Sequence, residues 1–196
     1  IPGQRLGDLT PYPALVDGQI VLVACRFGTG RVSVAVEGAA WPEEWGTTAL
    51  SSVDAALPGM ELDRGPDEEA PKIVVHTIED VDTKGPTGLA DTFTECDVSA
   101  RSPGSSAVPV RGRLVRSEIR IRRRVPGSFA RERAATAEDW VGAMLHELGH
   151  ALGFQGHAAI GNSLVHLEQS RLRALARRAL AGEGVSAPNV AALYRL

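Results

Sequence analysis

The residues His146–His157 read HELGHALGFQGH and hold three of the five histidines in the chain. They fit the pattern H-E-x-x-H-x-x-G-x-x-H at each specified position. On a helix with about 3.6 residues per turn, His146 and His150 project from adjacent turns of one face. Each ring can then place a nitrogen about 2.0 to 2.1 Å from one zinc ion. The spacing therefore predicts a helix that carries two ligands of a single metal ion.

The other residues of the motif predict that this metal site is catalytic. Gly153 can take the left-handed conformation that ends a helix, which turns the chain so that His157 returns toward the metal. Three neutral histidines leave the fourth position of a tetrahedral zinc for water, and Glu147 lies beside that water as general base. The motif thus predicts one catalytic zinc ion, held by His146, His150 and His157, and hydrolysis of peptide bonds.

The sequence around the motif also predicts a helix that packs on a sheet. Thr136 and Asp139 have the spacing of a capping box, which marks the start of the helix. Apolar residues then recur at i, i+4, i+7 and i+11 and form one buried stripe. This stripe consists of Val141, Leu145, Leu148 and Leu152. After the motif, the periodic segment Glu168–Leu180 predicts a second helix.

Upstream of the motif, short runs rich in β-branched residues predict four or five strands. In chain order these are Ile20–Phe27, Arg31–Glu37, Lys72–Ile78, Leu89–Thr94 and Arg113–Arg122. The first two flank Gly28-Thr29-Gly30 and are expected to form a hairpin. We expect a helix over Trp45–Leu57 and a solvated loop over the acidic segment Glu61–Glu69.

The composition is that of an ordinary globular domain. The chain has 196 residues, 43% hydrophobic and 23% charged, and a net charge of -3. This charge gives no general attraction to nucleic acid or anionic lipid. The longest apolar stretch, Ile20–Cys25, is far shorter than the roughly 20 residues that cross a bilayer. The two cysteines, Cys25 and Cys96, can form one disulfide or remain two buried thiols, and the sequence leaves both readings open.

The long motif resembles that of the metzincin clan of zinc endopeptidases, and the chain looks most like a matrixin-type catalytic domain. The resemblance implies an α+β fold of the zincin type. Its features would be a mixed, mostly parallel twisted sheet of four to five strands, a long active-site helix and a small, mostly helical C-terminal subdomain. It implies a single domain over residues 1–196, divided into an upper subdomain of residues 1–157 and a small subdomain of residues 158–196.

The same resemblance implies where a substrate binds. Leu89 and Ala90 begin the strand that corresponds to the sheet edge beside the cleft, so extended peptide is expected to pair there. The partners implied are peptide or protein substrates, with no nucleic acid and no membrane span, and the chain is expected to be a monomer. The family likeness and the first residue, Ile1, lead us to expect a secreted or extracytoplasmic protein.

The sequence departs from the family where metzincins carry a methionine beneath the metal. Both methionines, Met60 and Met144, precede the third ligand. Val165 lies at the corresponding position, where a branched apolar residue could pack under the imidazoles. His166 follows it and is conceivable as a fourth ligand, although an ordinary surface or turn histidine is the favoured interpretation.

Alternative functions follow from the same residues. The missing methionine permits a catalytically silent zinc-binding interaction domain on the same scaffold. The arginines between residues 111 and 124 could form a basic stripe for nucleic acid, but their alternation with apolar residues favours a strand with one solvated face. Asp80, Asp82 and Asp91 could bind calcium weakly, although no convincing structural calcium site is recognisable.

Overall fold

The strands of the sheet arise from the β-branched runs in the first two thirds of the chain. A computed structural model describes residues 12–16, 19–28, 30–37, 41–57, 59–64, 72–78, 89–98, 110–126, 132–157, 164–166 and 168–185. Its central sheet contains β1 Tyr12–Val16, β2 Gln19–Arg26, β3 Gly30–Glu37, β4 Met60–Asp63, β5 Ile73–Ile78, β6 Ala90–Asp97 and β7 Val110–Arg122. A small separate hairpin is formed by β8 Arg124–Pro126 and β9 Glu132–Ala134.

The sheet is mixed and mostly parallel, as the resemblance to metzincins implied. Its order is β1-β2-β7-β5-β3-β4, and β6 pairs with β7 in addition. The pairs β2–β7, β7–β5, β5–β3 and β3–β4 are parallel, whereas β1–β2 and β6–β7 are antiparallel. The start of β5 is apolar at successive positions and fully buried, as in strands covered on both faces. The sheet has seven strands, more than the four or five expected, because β1 and β4 were not recognised.

The expected hairpin between Ile20–Phe27 and Arg31–Glu37 is wrong. β2 pairs with β1 and β7, whereas β3 pairs with β4 and β5. Both runs are apolar at their centres and lie inside the sheet, so each is better buried between two neighbours than at the edge that a hairpin leaves. The acidic segment was also misjudged in part, since Glu61 and Asp63 belong to β4. Residues 65–69 of that segment lie outside the described part of the chain.

The described helices lie near their predicted positions. They are α1 Glu43–Ala56, α2 Ala137–Ala151 and α3 Gln169–Leu180. The four residues of the predicted α2 stripe are fully buried, and α2 packs against α1, α3, β6 and β7. Ser117 Oγ in β7 donates a buried 2.7 Å hydrogen bond to the carbonyl of Ala151, which ties the C-terminal end of α2 to the sheet. None of the described helices has the length and apolar character needed to cross a membrane.

A disulfide joins Cys25 in β2 to Cys96 in β6, with 6.1 Å between the Cα atoms. The sequence left open whether the two cysteines form a disulfide or remain buried thiols, and the structure shows the disulfide. Both sulfur atoms lie against Gly112 of β7, where any Cβ atom would overlap them. The bond therefore crosses over the strand that pairs with both β2 and β6.

Candidate metal centre

The first turn of α2 is fixed by a buried carboxylate. Asp139 Oδ2 accepts hydrogen bonds from the backbone N–H and the hydroxyl of Thr136 at 3.0 and 2.8 Å, and the predicted capping box is present. Arg133 donates to the same oxygen at 2.6 Å, and Arg173 of α3 donates twice to Oδ1 at 2.8 and 2.6 Å. Burial raises the pKa of Asp139, but these hydrogen bonds outweigh burial and hold it well below the usual range.

The structure brings His146, His150 and His157 together. One ligand atom from each ring lies within 4.8 Å of those of the other two. The ring centroids are 4.7 Å apart for His146–His150, 5.2 Å for His146–His157 and 4.9 Å for His150–His157. His146 is buried, His150 is half-buried and His157 is exposed, so the group opens to solvent on one side.

The chain reverses after α2 through Gly153, as the motif predicted. Gly153 has a φ of 104°, and its N–H donates to the carbonyl of His150 at 2.8 Å. A Cβ atom at this position would also overlap the backbone carbonyl of Cys25. Only glycine therefore permits both the left-handed turn and the close approach to β2. This turn brings His157 back to the histidines of α2.

The hydrogen bonding of His150 leaves one ring nitrogen as a metal ligand. Its Nδ1 lies 2.6 Å from the carbonyl oxygen of Phe154, which can only accept, so Nδ1 carries the proton. The Nε2 lone pair then faces Nε2 of His146 at 3.1 Å. Two nitrogens bound tetrahedrally to one zinc ion at about 2.0 to 2.1 Å would lie roughly 3.4 Å apart. The donor set and its spacing therefore fit a metal ion of the zinc type.

Burial favours the neutral form of these three rings. The pKa of His146 is lowered to about 3, first by burial and then by repulsion from His150 and His157, while a hydrogen bond with the backbone of Leu164 opposes the shift. Burial also lowers the pKa of His150 and of His157. Metal ligation requires neutral imidazole, so the site is already in the protonation state that a metal ion needs.

Glu147 is buried beside this group and is held by a residue of the neighbouring strand. Thr92 Oγ1 in β6 lies 2.6 Å from Glu147 Oε2 and donates a hydrogen bond to it. The pKa of Glu147 is raised to about 7, chiefly by burial and also by the charge of Asp91, while the hydrogen bond from Thr92 opposes the shift. The environment therefore gives a carboxyl that can both take up and release a proton near neutral pH.

A pocket of about 290 Å³ opens beside the three histidines. Leu89 and Ala90 line it together with His146, Glu147 and His157, so the two predicted substrate-binding residues adjoin the predicted ligands. The pocket continues between α2 and α3, where further residues of both helices line it. Among the described strands, β6 pairs only with β7.

No protein-family model and no curated protein matches this sequence. The likeness to metzincins therefore rests on the motif itself. What the structure adds is a group of three histidines able to hold a metal ion.

Val165 and His166 follow the motif, and the sequence assigned a role to each. Val165 is fully buried in the hydrophobic core, and its role as the substitute for the methionine stays a prediction. The favoured interpretation of His166 was a surface or turn histidine; it directly follows the turn at Leu164 and Val165, but it is only 1% exposed, so the surface reading is wrong. It also lies outside the three-histidine group found among the described residues, which gives no support to a fourth ligand. Of the three aspartates considered for calcium, Asp80 and Asp82 lie outside the described residues.

Sequence reasoning missed the residues that support the site. Thr92 was placed in a predicted strand without a role, and the carbonyl of Phe154 has no signal of its own because every residue carries one. Arg173 was part of a predicted helix face, yet it reaches Asp139 in α2. The contacts of Thr92 and Arg173 depend on elements that are brought together only by the fold, whereas the contact of Phe154 with His150 is local, four residues apart.

Proposed function

We propose that this chain is a zinc-dependent endopeptidase in which His146, His150 and His157 hold the metal and Glu147 is the general base. The observation that carries the proposal is the grouping of His146, His150 and His157 next to the buried carboxylate of Glu147, which follows His146 on α2. A structural zinc site would use four protein ligands, whereas three leave a position for water and substrate.

The residues of the chain divide the work of peptide hydrolysis. A zinc ion bound at the three histidines supplies a Lewis acid that polarises a carbonyl and lowers the pKa of a water molecule. Glu147 accepts the proton of that water and returns it to the nitrogen of the leaving amine. Thr92 holds Oε2 of Glu147 by a hydrogen bond and so orients the carboxylate. Phe154 fixes the ring of His150 through its carbonyl, so that Nε2 faces the metal position.

Among the described strands only β7 pairs with β6, and the other side of β6 supports an extended peptide as substrate. Leu89 and Ala90 lie where β6 begins, in the wall of the pocket beside the histidines. A peptide that aligned along this strand would satisfy its backbone groups there and place one bond next to Glu147.

The Cys25–Cys96 disulfide also supports a location outside the cytoplasm, because such bonds persist in oxidising compartments. We therefore propose that the protein is secreted or otherwise extracytoplasmic.

A catalytically silent zinc-binding domain is the second candidate, and the buried Val165 in place of a methionine is the observation that favours it. Zinc analysis of the purified chain together with cleavage of an unstructured polypeptide separates the two. The peptidase proposal expects one zinc per chain, hydrolysis that a chelator abolishes, and recovery when zinc is restored. A chain loaded with zinc that cleaves nothing would support the silent domain, and a chain that binds no zinc would end both.

A further inference from the structure

The face of β6 that is turned toward α2 carries two threonines, and each contacts a different part of the metal centre. Thr92 Oγ1 donates to Glu147 Oε2, and Thr94 Oγ1 accepts a hydrogen bond of 3.2 Å from Gln155 Nε2. Alternate side chains of a strand point to the same face of the sheet, so the two threonines lie side by side. The first contact is made to the helix, and the second to the segment that leads from the helix to His157.

This segment lies beyond the end of α2, and its first contacts return to the helix. The N–H of Phe154 donates to the carbonyl of Gly149, and the carbonyl of Phe154 accepts from the ring of His150. Both bonds fix the part of the segment that directly follows the turn at Gly153. Neither of them reaches the residues closer to His157.

Within the described part of the chain, Gln155 is the last residue before His157 that forms a hydrogen bond. The ring of His157 has no hydrogen-bond partner among the described residues, and of the three rings it is the exposed one. A histidine ligand is usually oriented by a hydrogen bond from its second nitrogen. The orientation of this ring therefore depends on the backbone next to it, which the side chain of Gln155 anchors to β6.

The strand that receives this anchor is itself held firmly near the contact. Thr94 is paired with Ser117 of β7 in the sheet. Two positions further along β6, Cys96 is joined by the disulfide to Cys25, whose carbonyl lies directly against Gly153. A hydroxyl on a strand fixed in this way can hold the segment after α2 in one position.

We infer that the hydrogen bond between Gln155 and Thr94 positions His157 on the zinc ion and thereby controls how long the metal is retained. The inference rests on the proposed function in that it assumes zinc at the three histidines. Thr92 and Thr94 then have separate tasks, since Thr92 orients the general base and Thr94 holds the segment with the third ligand. Neither threonine is a ligand, so both are positioning residues.

Loss of this bond should weaken the third ligand without removing it. While His157 is turned away, only His146 and His150 hold the zinc ion, and the ion can leave more easily. The net contribution of one neutral hydrogen bond corresponds to a change of about fivefold to tenfold in a rate or equilibrium constant. The effect should therefore be smaller than that of deleting the ring.

The direct test is the rate at which the purified, zinc-loaded chain loses its metal to an excess of a chromophoric chelator. Thr94→Val and Thr92→Val form a matched pair, because each removes one hydroxyl from the same face of the same strand. We expect zinc to leave Thr94→Val about fivefold to tenfold faster than wild type, and Thr92→Val at the wild-type rate. Thr94→Ser keeps the hydroxyl and should restore slow release. A wild-type rate in Thr94→Val, or equal acceleration in both valine variants, would overturn the inference.

Gln155→Met removes the same hydrogen bond from its other side and leaves β6 intact, so it also serves if Thr94→Val does not fold. We expect zinc release to be accelerated to the same degree as in Thr94→Val. The double variant should be no faster than either single variant, because both residues act through one contact. Accelerations that multiply in the double variant would show that the two side chains act independently, which contradicts the inference.

Cobalt substitution tests the position of the third ligand without measuring activity. The visible absorption of a Co²⁺ ion depends on the number and geometry of its ligands. Thr94→Val and Gln155→Met should share one altered spectrum, and Thr94→Ser should return to that of wild type. Spectra of Thr94→Val and Gln155→Met that match wild type would mean that His157 keeps its position without the bond.

Failure of this inference is distinguishable from failure of the proposed function. A chain that holds zinc but cleaves no peptide would refute the peptidase, while the release rates would still decide the role of Thr94. Equal release rates in an enzyme that cleaves peptide would refute the inference alone. A chain that takes up no zinc would refute both.

Discussion

Thr92 Oγ1 in β6 donates a 2.6 Å hydrogen bond to Oε2 of Glu147 in α2, across 55 positions of sequence. The bond holds one oxygen of the carboxylate that we propose as general base. A threonine on the strand beside the cleft thus couples the strand to the helix that carries the histidines.

Replacement of Thr92 by valine tests this coupling, because valine keeps the shape of the side chain and lacks the hydroxyl. We expect kcat to fall about tenfold, equivalent to about 1.4 kcal/mol of lost orientation, with KM and zinc content unchanged. Thr92→Ser restores the hydroxyl and should recover most of kcat in steady-state peptide hydrolysis. A valine variant as fast as wild type, or a serine variant as slow as the valine variant, would exclude this role of the hydroxyl.

The third metal ligand can be tested against a histidine elsewhere in the protein. His157→Ala removes one of three ligands, so the affinity for zinc should fall more than about 100-fold in competition with a chromophoric chelator. His76→Ala is the control, since His76 lies in β5 with Nδ1 3.2 Å from Glu37. Its zinc affinity should match that of wild type. Equal affinities for the two variants would mean that His157 is not a ligand.

The buried carboxylate of Asp139, in the first turn of α2, should make the free energy of unfolding depend on pH. The pKa of Asp139 is lower in the folded chain than its ordinary value near 3.9. The carboxylate therefore stabilises the fold fully above that value, and its contribution is lost as the pH falls from about 5 through the folded pKa. Denaturant unfolding should show Asp139→Asn less stable by about 3 kcal/mol at pH 7, with a smaller difference at pH 3. A difference that is independent of pH would contradict this assignment.

The disulfide should contribute substantially to the free energy of unfolding. Cys25 and Cys96 are separated by 71 residues, and a loop of that length implies about 4 kcal/mol in the chain-entropy description. Replacing both cysteines with alanine should lower the free energy of unfolding by about 2 to 4 kcal/mol in denaturant titrations. Zinc stoichiometry should be unaffected, because neither cysteine is among the three ligands. Unchanged stability would show that the bond constrains the unfolded chain little.

The local features of the site could be predicted from the sequence because they depend on spacing within one segment. The capping box of Thr136, the buried stripe of α2 and the turn at Gly153 all involve residues a few positions apart. The motif places His157 four residues after this turn, and the turn returns the chain toward α2. For the same reason the helix boundaries were close to those observed.

The pairing of strands and the contacts between elements could not be predicted in this way. Neighbouring β-branched runs suggested a hairpin, but β2 and β3 are separated in the sheet by β7 and β5. The hydrogen bond of Thr92, the burial of His166 and the approach of Arg173 to Asp139 arise only when distant segments meet. No spacing rule within the sequence encodes those contacts.

The central claim is that Glu147 performs chemistry at a metal that the three histidines hold. The most direct measurement compares zinc content and peptide hydrolysis of wild type and Glu147→Ala, each purified and loaded in the same way. We predict one zinc per chain in both proteins and a rate of hydrolysis lower by at least about 100-fold in the variant. A Glu147→Ala variant that holds zinc and cleaves peptide as fast as wild type would contradict the account.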